Sequence, residues 1–237
     1  MRPPSAKRSW GYARAEVLAA TLQAAVLIGV GIFVLVEAVR RLFEPPEIPA
    51  TGLLIFGVIG LVGNLVAIAV LFSGRHANFN LRAAFLEVVN DALGSVGVIV
   101  AAVVIAVTGW QGADAIAALL IGALIIPRAI RLLRQTTSVL LESTPPGVDV
   151  EALRGHLLEL PHVQDVHDLH ISQIASRLPV LTAHIVADRE CFRDDRAPQL
   201  LDQLQACVAE HFEISIEHST FQLEPDTHQR HEHLPHT

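Results

Sequence analysis

The chain has 237 residues, 51% of them hydrophobic and only 17% charged, with a mean hydropathy of +0.45. This excludes an ordinary water-soluble globular protein. Charge is unevenly spread: residues 1–146 hold 11 Lys/Arg against 8 Asp/Glu, and residues 147–237 hold 6 against 16. A slightly basic membrane part followed by an acidic soluble part is the simplest reading. The acidic part argues against nucleic acid, which needs a basic footprint, and suits cations.

Residues 1–16 scatter charged and polar side chains without the short apolar core of a secretory signal. Four apolar spans then follow, at about residues 17–39, 50–72, 83–107 and 112–133. Glu44-Pro45-Pro46-Glu47 separates the first pair and Ser73 to Asn78 the second. Thr108-Gly109-Trp110-Gln111 turns the third span into the fourth. Arg2, Lys7, Arg8, Arg14, Arg75, Arg82, Arg128, Arg131 and Arg134 gather at one set of span ends, against Arg40 and Arg41 at the other. The positive-inside rule makes the richer side cytoplasmic, and with it the whole C-terminal domain.

The third span carries a cost. Glu87 and Asp91 lie four residues apart within it, about one helical turn, so both acids face the same way. With Asn90 beside them they read as half of an ion-binding site. The alternative is a pair of protonated or hydrated acids that only hold helices together. Asn64 in the second span reads as an interhelical hydrogen bond rather than a ligand. Glu37 and Asp114 belong near the outer interface, where water makes a carboxylate cheap. Gly29, Gly31, Gly57, Gly60 and Gly63 permit close helix approach.

From Pro145 the pattern becomes that of a soluble domain. Asp149 caps a helix with inward Val150, Leu153, Leu157 and Leu160, stopped by Pro161. Strands are expected over residues 166–174, 181–187 and 214–223, with a turn at Ser176 to Pro179 and a helix over 198–212. The order α-β-β-α-β predicts a two-layer α+β domain.

Eleven of the 12 histidines fall at or after position 156. His167, Asp168 and His170 lie on the first of these strands, His184 on the second, and Glu224 ends the third. Imidazole nitrogen with carboxylate oxygen suits Zn²⁺ or a similar ion. Strict alternation puts Asp168 and His170 on one face and His167 with Leu169 and Ile171 on the other, which separates His167 from His170. The alternative is ordinary surface histidines. Cys191 and Cys207 are too few and too far apart for a thiolate cluster, and fit a reducing cytoplasm. Residues 227–237 read as a His-rich disordered tail.

Phe85-Leu86-Glu87-Val88-Val89-Asn90-Asp91-Ala92-Leu93-Gly94-Ser95-Val96 resembles the fifth transmembrane helix of the cation diffusion facilitator transporters. Residues 8–18 are similar to the family's entry into its third helix. Val166-His167-Asp168-Leu169-His170 and Phe221-Gln222-Leu223-Glu224 are similar to its cytoplasmic domain. The resemblance implies a ferredoxin-like domain over 145–226 that binds metal and dimerises, behind a transmembrane domain over 1–144. It also implies a homodimer in the cell's inner membrane that exports Zn²⁺, or Co²⁺, Cd²⁺, Mn²⁺ or Fe²⁺, in exchange for protons and without another cofactor.

In the family, two ligands come from the second helix and two, usually His and Asp, from the fifth. Asp91 matches the aspartate, and Glu87 stands where the histidine normally is, which would broaden selectivity toward harder ions. His167, His184 and Glu224 fall at or near positions that bind regulatory metal in some members. The family has six spans, and this chain starts at what would be the third, so half of the transport site would be absent. A truncated, non-transporting metal-binding or regulatory membrane protein is therefore the rival expectation. An enzyme is disfavoured, with no nucleophile motif or phosphate loop.

Overall fold

A computed structural model describes residues 5–73, 79–175, 178–193, 196–210 and 215–228, with backbone alone at 79–83. The chain divides into two units, residues 22–133 and residues 1–21 with 134–237. The sequence readings at Ser176, Arg177, Phe212, Ile214 and the tail from residue 229 lie outside the described residues.

Four long helices account for the apolar part: α1 (Ala13–Phe43), α2 (Ala50–Phe72), α3 (Phe79–Thr108) and α4 (Gly112–Leu140). All four are long and apolar enough to cross a membrane. Three of them outrun the spans expected from hydropathy. A helix continues wherever its backbone bonds continue, whereas apolar character marks only the stretch in hydrocarbon. The difference matters most in α4. It runs seven residues beyond Leu133, so Arg128 lies within the helix and not at its end.

In the unit of residues 22–133, small residues let helices approach. A Cβ at Gly57 would stand 2.8 Å from Ile99, and one at Gly60 would stand 3.1 Å from Ser95 Oγ, both in α3. Gly122 of α4 meets Leu35 of α1 in the same way, at 2.5 Å. Gly29 and Gly63 face open space. Asn64 Nδ2 donates to Ser95 Oγ at 3.2 Å, the interhelical role read from its position. At the far end Arg41 of α1 donates to Asp114 of α4 at 2.9 Å and to Glu37 at 3.2 Å. Both acids are therefore salt-bridged.

The other unit is built on the C-terminal domain. Gly147, at φ 93°, makes a turn that a side chain would strain. Asp149 then caps α5 (Val150–Leu158), its Oδ1 accepting from the amides of Glu151 and Ala152 at 3.0 and 3.1 Å. Asp149→Ala is expected to cost about 1 kcal/mol, read as a lower melting temperature of this domain. Strands β1 (Val163–Ala175), β2 (Leu178–Ala187) and β3 (His218–Pro225) form one sheet in that order. β1 and β2 are antiparallel, and β2 and β3 are parallel.

Between β2 and β3 the chain passes through a short α6 (Arg189–Arg193) and then α7 (Ala197–Glu210). The sequence reading missed α6, a single capped turn whose Cys191 amide donates to Asp188 Oδ1 at 2.9 Å. His162 beside that carboxylate, at 2.8 Å, holds Asp188 below the usual carboxylate range. The core joins Leu153 and Leu157 of α5 and Leu200, Leu204 and Val208 of α7 to Val166, Ile171, Leu181 and Ile185 of the sheet. Cys191 and Cys207 lie in this core, and burial pushes both thiols up, which keeps them unreactive.

Candidate metal centres

Among the described residues, each unit holds one cluster of interest. In residues 22–133, α3 presents Glu87 and Asp91 one turn apart, half-exposed at 50% and 55% of their side-chain surface. Neither acid stands alone, because Arg128 of α4 reaches both. Its Nη2 pairs with Glu87 Oε1, and its Nη1 lies 3.7 Å from Asp91 Oδ1. A cavity of about 50 Å³ opens beside this group, lined by Asn90, Asp91, Gly94 and Arg128 with Ile121, Leu124 and Ile125. A second hollow, about 280 Å³, lies against Asp91, Ser95, Gly57 and Phe56. Asp91 alone of the two acids lines both.

Arg128 is the residue that sequence reasoning missed. It was counted only as an orientation signal, because hydropathy ended the fourth span just beyond it. The signal that would have found it is its cost. An arginine that follows an apolar run directly, with about three more turns of helix beyond it, needs a carboxylate partner, and α3 holds the nearest pair.

In the C-terminal domain, His167, His184 and Glu224 come together, one ligand atom from each lying within 4.8 Å of the others. His167 Nε2 donates to Glu224 Oε1 at 2.8 Å, and His184 Nδ1 lies 3.8 Å from Glu224 Oε2. Gln222 Nε2 also donates to Oε2, at 3.1 Å. Glu224 is 2% exposed and His167 is 9%, while His184 at 26% leaves a way in. Ligands about 2.0–2.2 Å from a tetrahedral Zn²⁺ stand roughly 3.3–3.6 Å from each other. The observed spacings bracket that value, so a nitrogen–nitrogen–oxygen set of this size fits the ion.

A bulge in β1 produces the cluster. His167 pairs with His184 and His170 with Thr182, so the two residues between on β1 oppose one on β2. Asp168 takes up the irregularity at φ 47°, a conformation aspartate tolerates better than most. This corrects the alternation assumed from the sequence. His167 shares a face with His170 and Ser172, whereas Leu169 and Ile171 turn to the core. His167 and His170 still part company, but by distance along the strand. His170 is exposed and borders a different hollow with Glu142 and Thr144. Asp168 is not in the cluster.

Residues 1–141 match the family model of the cation efflux transmembrane domain, and residues 145–226 that of the cation efflux protein cytoplasmic domain. The metal cation efflux system protein CzcD of Cupriavidus metallidurans is 41% identical over 223 residues, covering 94% of this chain and 69% of that one. The cadmium, cobalt and zinc/H⁺-K⁺ antiporter of Bacillus subtilis is 34% identical, with 93% and 70% covered. The zinc transporter ZitB of Escherichia coli is 35% identical, with 96% and 73% covered. Among solved structures, the metal-bound C-terminal domain of the Cupriavidus CzcD transporter is 32% identical. That match covers 32% of this chain and 99% of that domain, with a TM-score of 0.27. With both halves matched in order and relatives aligned along nearly its whole length, the chain belongs to the cation efflux family, the cation diffusion facilitators: integral membrane transporters, not enzymes.

Proposed function

We propose that this chain moves Zn²⁺ out of the cytoplasm through a site built on Glu87 and Asp91, exchanging the ion for protons. The observation that carries the reading is the acid pair, one turn apart inside an apolar helix, with Asp91 bordering a cavity of ionic size. Two carboxylates supply up to four oxygen donors and two negative charges, enough to neutralise one divalent ion. The same oxygens take protons, so cargo and proton compete for one place and each expels the other. The names of the Bacillus and Escherichia relatives support zinc and proton exchange. Oxygen donors without imidazole favour harder ions such as Mn²⁺ and Fe²⁺ as further cargo, and the name of the Bacillus relative supports cadmium and cobalt.

In the C-terminal domain we assign His167, His184 and Glu224 to a resident metal. Bound there, the ion would neutralise a carboxylate that is otherwise almost fully buried. By tying β1, β2 and β3 together it would rigidify the domain through which two copies of the chain pair.

Uptake into proteoliposomes tests transport. Zn²⁺ flux is expected to exceed that of protein-free vesicles and to rise when a proton gradient opposes it. Equal flux with and without the gradient would defeat the exchange mechanism.

A further inference from the structure

We propose that Arg128 is a built-in competitor of the cargo: its guanidinium occupies the Glu87–Asp91 pair, and a metal ion enters only by displacing it. The inference rests on the reading of those acids as cargo ligands. One guanidinium spans two different carboxylates, with Nη2 on Glu87 and Nη1 directed at Asp91. It stands where an ion shared by the two acids would stand. It also forms one wall of the adjoining cavity, together with Asn90, Asp91 and Gly94.

The chemistry of the group makes this more than a helix-to-helix strap. Guanidinium stays charged under all physiological conditions, so it cannot vacate the pair by losing a proton. It leaves only by moving, and it moves only if something neutralises the acids better. A monovalent ion brings the same single charge without the two-pronged hydrogen bonding, and gains nothing by the exchange. A divalent ion brings twice the charge. The arginine therefore acts as a valence threshold at the site. Its return would expel the ion once the far side has opened, which makes it part of release as well as of selection.

The competition has a signature. If the arginine leaves the pair free only about a tenth of the time, removing it strengthens metal binding about tenfold. Calorimetric titration of the detergent-purified full chain with Zn²⁺ alone reads this directly. Arg128→Gln is expected to tighten one site about tenfold. Arg128→Lys keeps the charge but loses the fork, and is expected to tighten it less. In an Asp91→Asn background the Arg128→Gln gain is expected to vanish, since the contested place has gone.

In proteoliposomes Arg128→Gln is expected to lower KM and kcat together, because an ion held harder is released more slowly. A purely structural arginine would instead lower the melting temperature and leave the Zn²⁺ affinity unchanged or weaker, and that result overturns the proposal. Should Arg128→Gln not fold, Arg128→Lys decides, because unchanged affinity there is equally fatal. Absence of flux in the wild type would count against the transport reading alone. The equilibrium titration judges the competitor independently.

Discussion

Asp91→Asn is expected to reduce Zn²⁺ flux by at least about a hundredfold while leaving expression and melting temperature near those of the wild type. Losing merely an outer partner of a metal ligand costs about 10–100-fold in affinity, so losing the ligand's charge costs more. Asparagine keeps the shape and one oxygen of aspartate but has no negative charge and takes no proton. It therefore removes both halves of the exchange and little of the packing. Asp91 is the sharper target of the two acids, because it lines both cavities beside α3 while Glu87 faces Arg128. Glu87→His provides the contrast. Imidazole in place of carboxylate is expected to retain Zn²⁺ flux and depress that of Mn²⁺, since nitrogen donors suit the softer ion. Proteoliposome uptake of the two metals in parallel checks both variants. An Asp91→Asn protein that transports like the wild type would remove α3 from the pathway.

The second large effect belongs to Glu224. This side chain is 2% exposed and accepts from His167 and Gln222 on its two separate oxygens. In Glu224→Gln one of those oxygens becomes an amide nitrogen, so one of the two donors then faces another donor. A buried polar group left unsatisfied in this way costs about 1–3 kcal/mol. The melting temperature of the C-terminal domain should fall accordingly. Zn²⁺ is expected to raise the wild-type melting temperature, as any ligand selective for the folded state does, and to leave that of Glu224→Gln unmoved. His184→Ala separates the two consequences. It removes a ligand from the more open side of the cluster, so it should abolish the zinc-induced rise at a smaller cost in stability. A zinc-induced rise that persists in both variants would refute the assignment of this cluster to metal.

Much of the architecture was legible because membranes impose a coarse code. Only long apolar runs cross hydrocarbon, and Glu87 and Asp91 stood out as charges within one. The soluble domain was legible for a related reason. Leu153 and Leu157, then Leu200 and Leu204, recur at helical spacing beside strands that alternate. What escaped was decided by tertiary geometry. Arg128 reads as a flanking charge until α4 continues past it to Leu140. Arg41 reads as a topological signal until Asp114, 73 residues away, closes on it at 2.9 Å. Neither pairing leaves a mark at short range in the sequence.

The irregularity at Asp168 has a genetic consequence. Because two residues of β1 stand against one of β2 there, the strand carries one codon more than its partner requires. Substitutions along it alter one side chain each. Losing the Leu169 codon is a different kind of event, because it draws the strand into continuous register. With His170 still against Thr182 and His167 still against His184, the deletion leaves Asp168 alone between them, opposite Ala183, and turns its carboxylate toward the core. Losing the Asp168 codon instead would leave Leu169 in that core-facing place and keep the pairs on both sides, so it should be the better tolerated of the two deletions. A deep mutational scan that scores single-codon deletions would display that contrast at the bulge and not along β3, whose pairing with β2 runs without a shift, so that any deletion there slips the register.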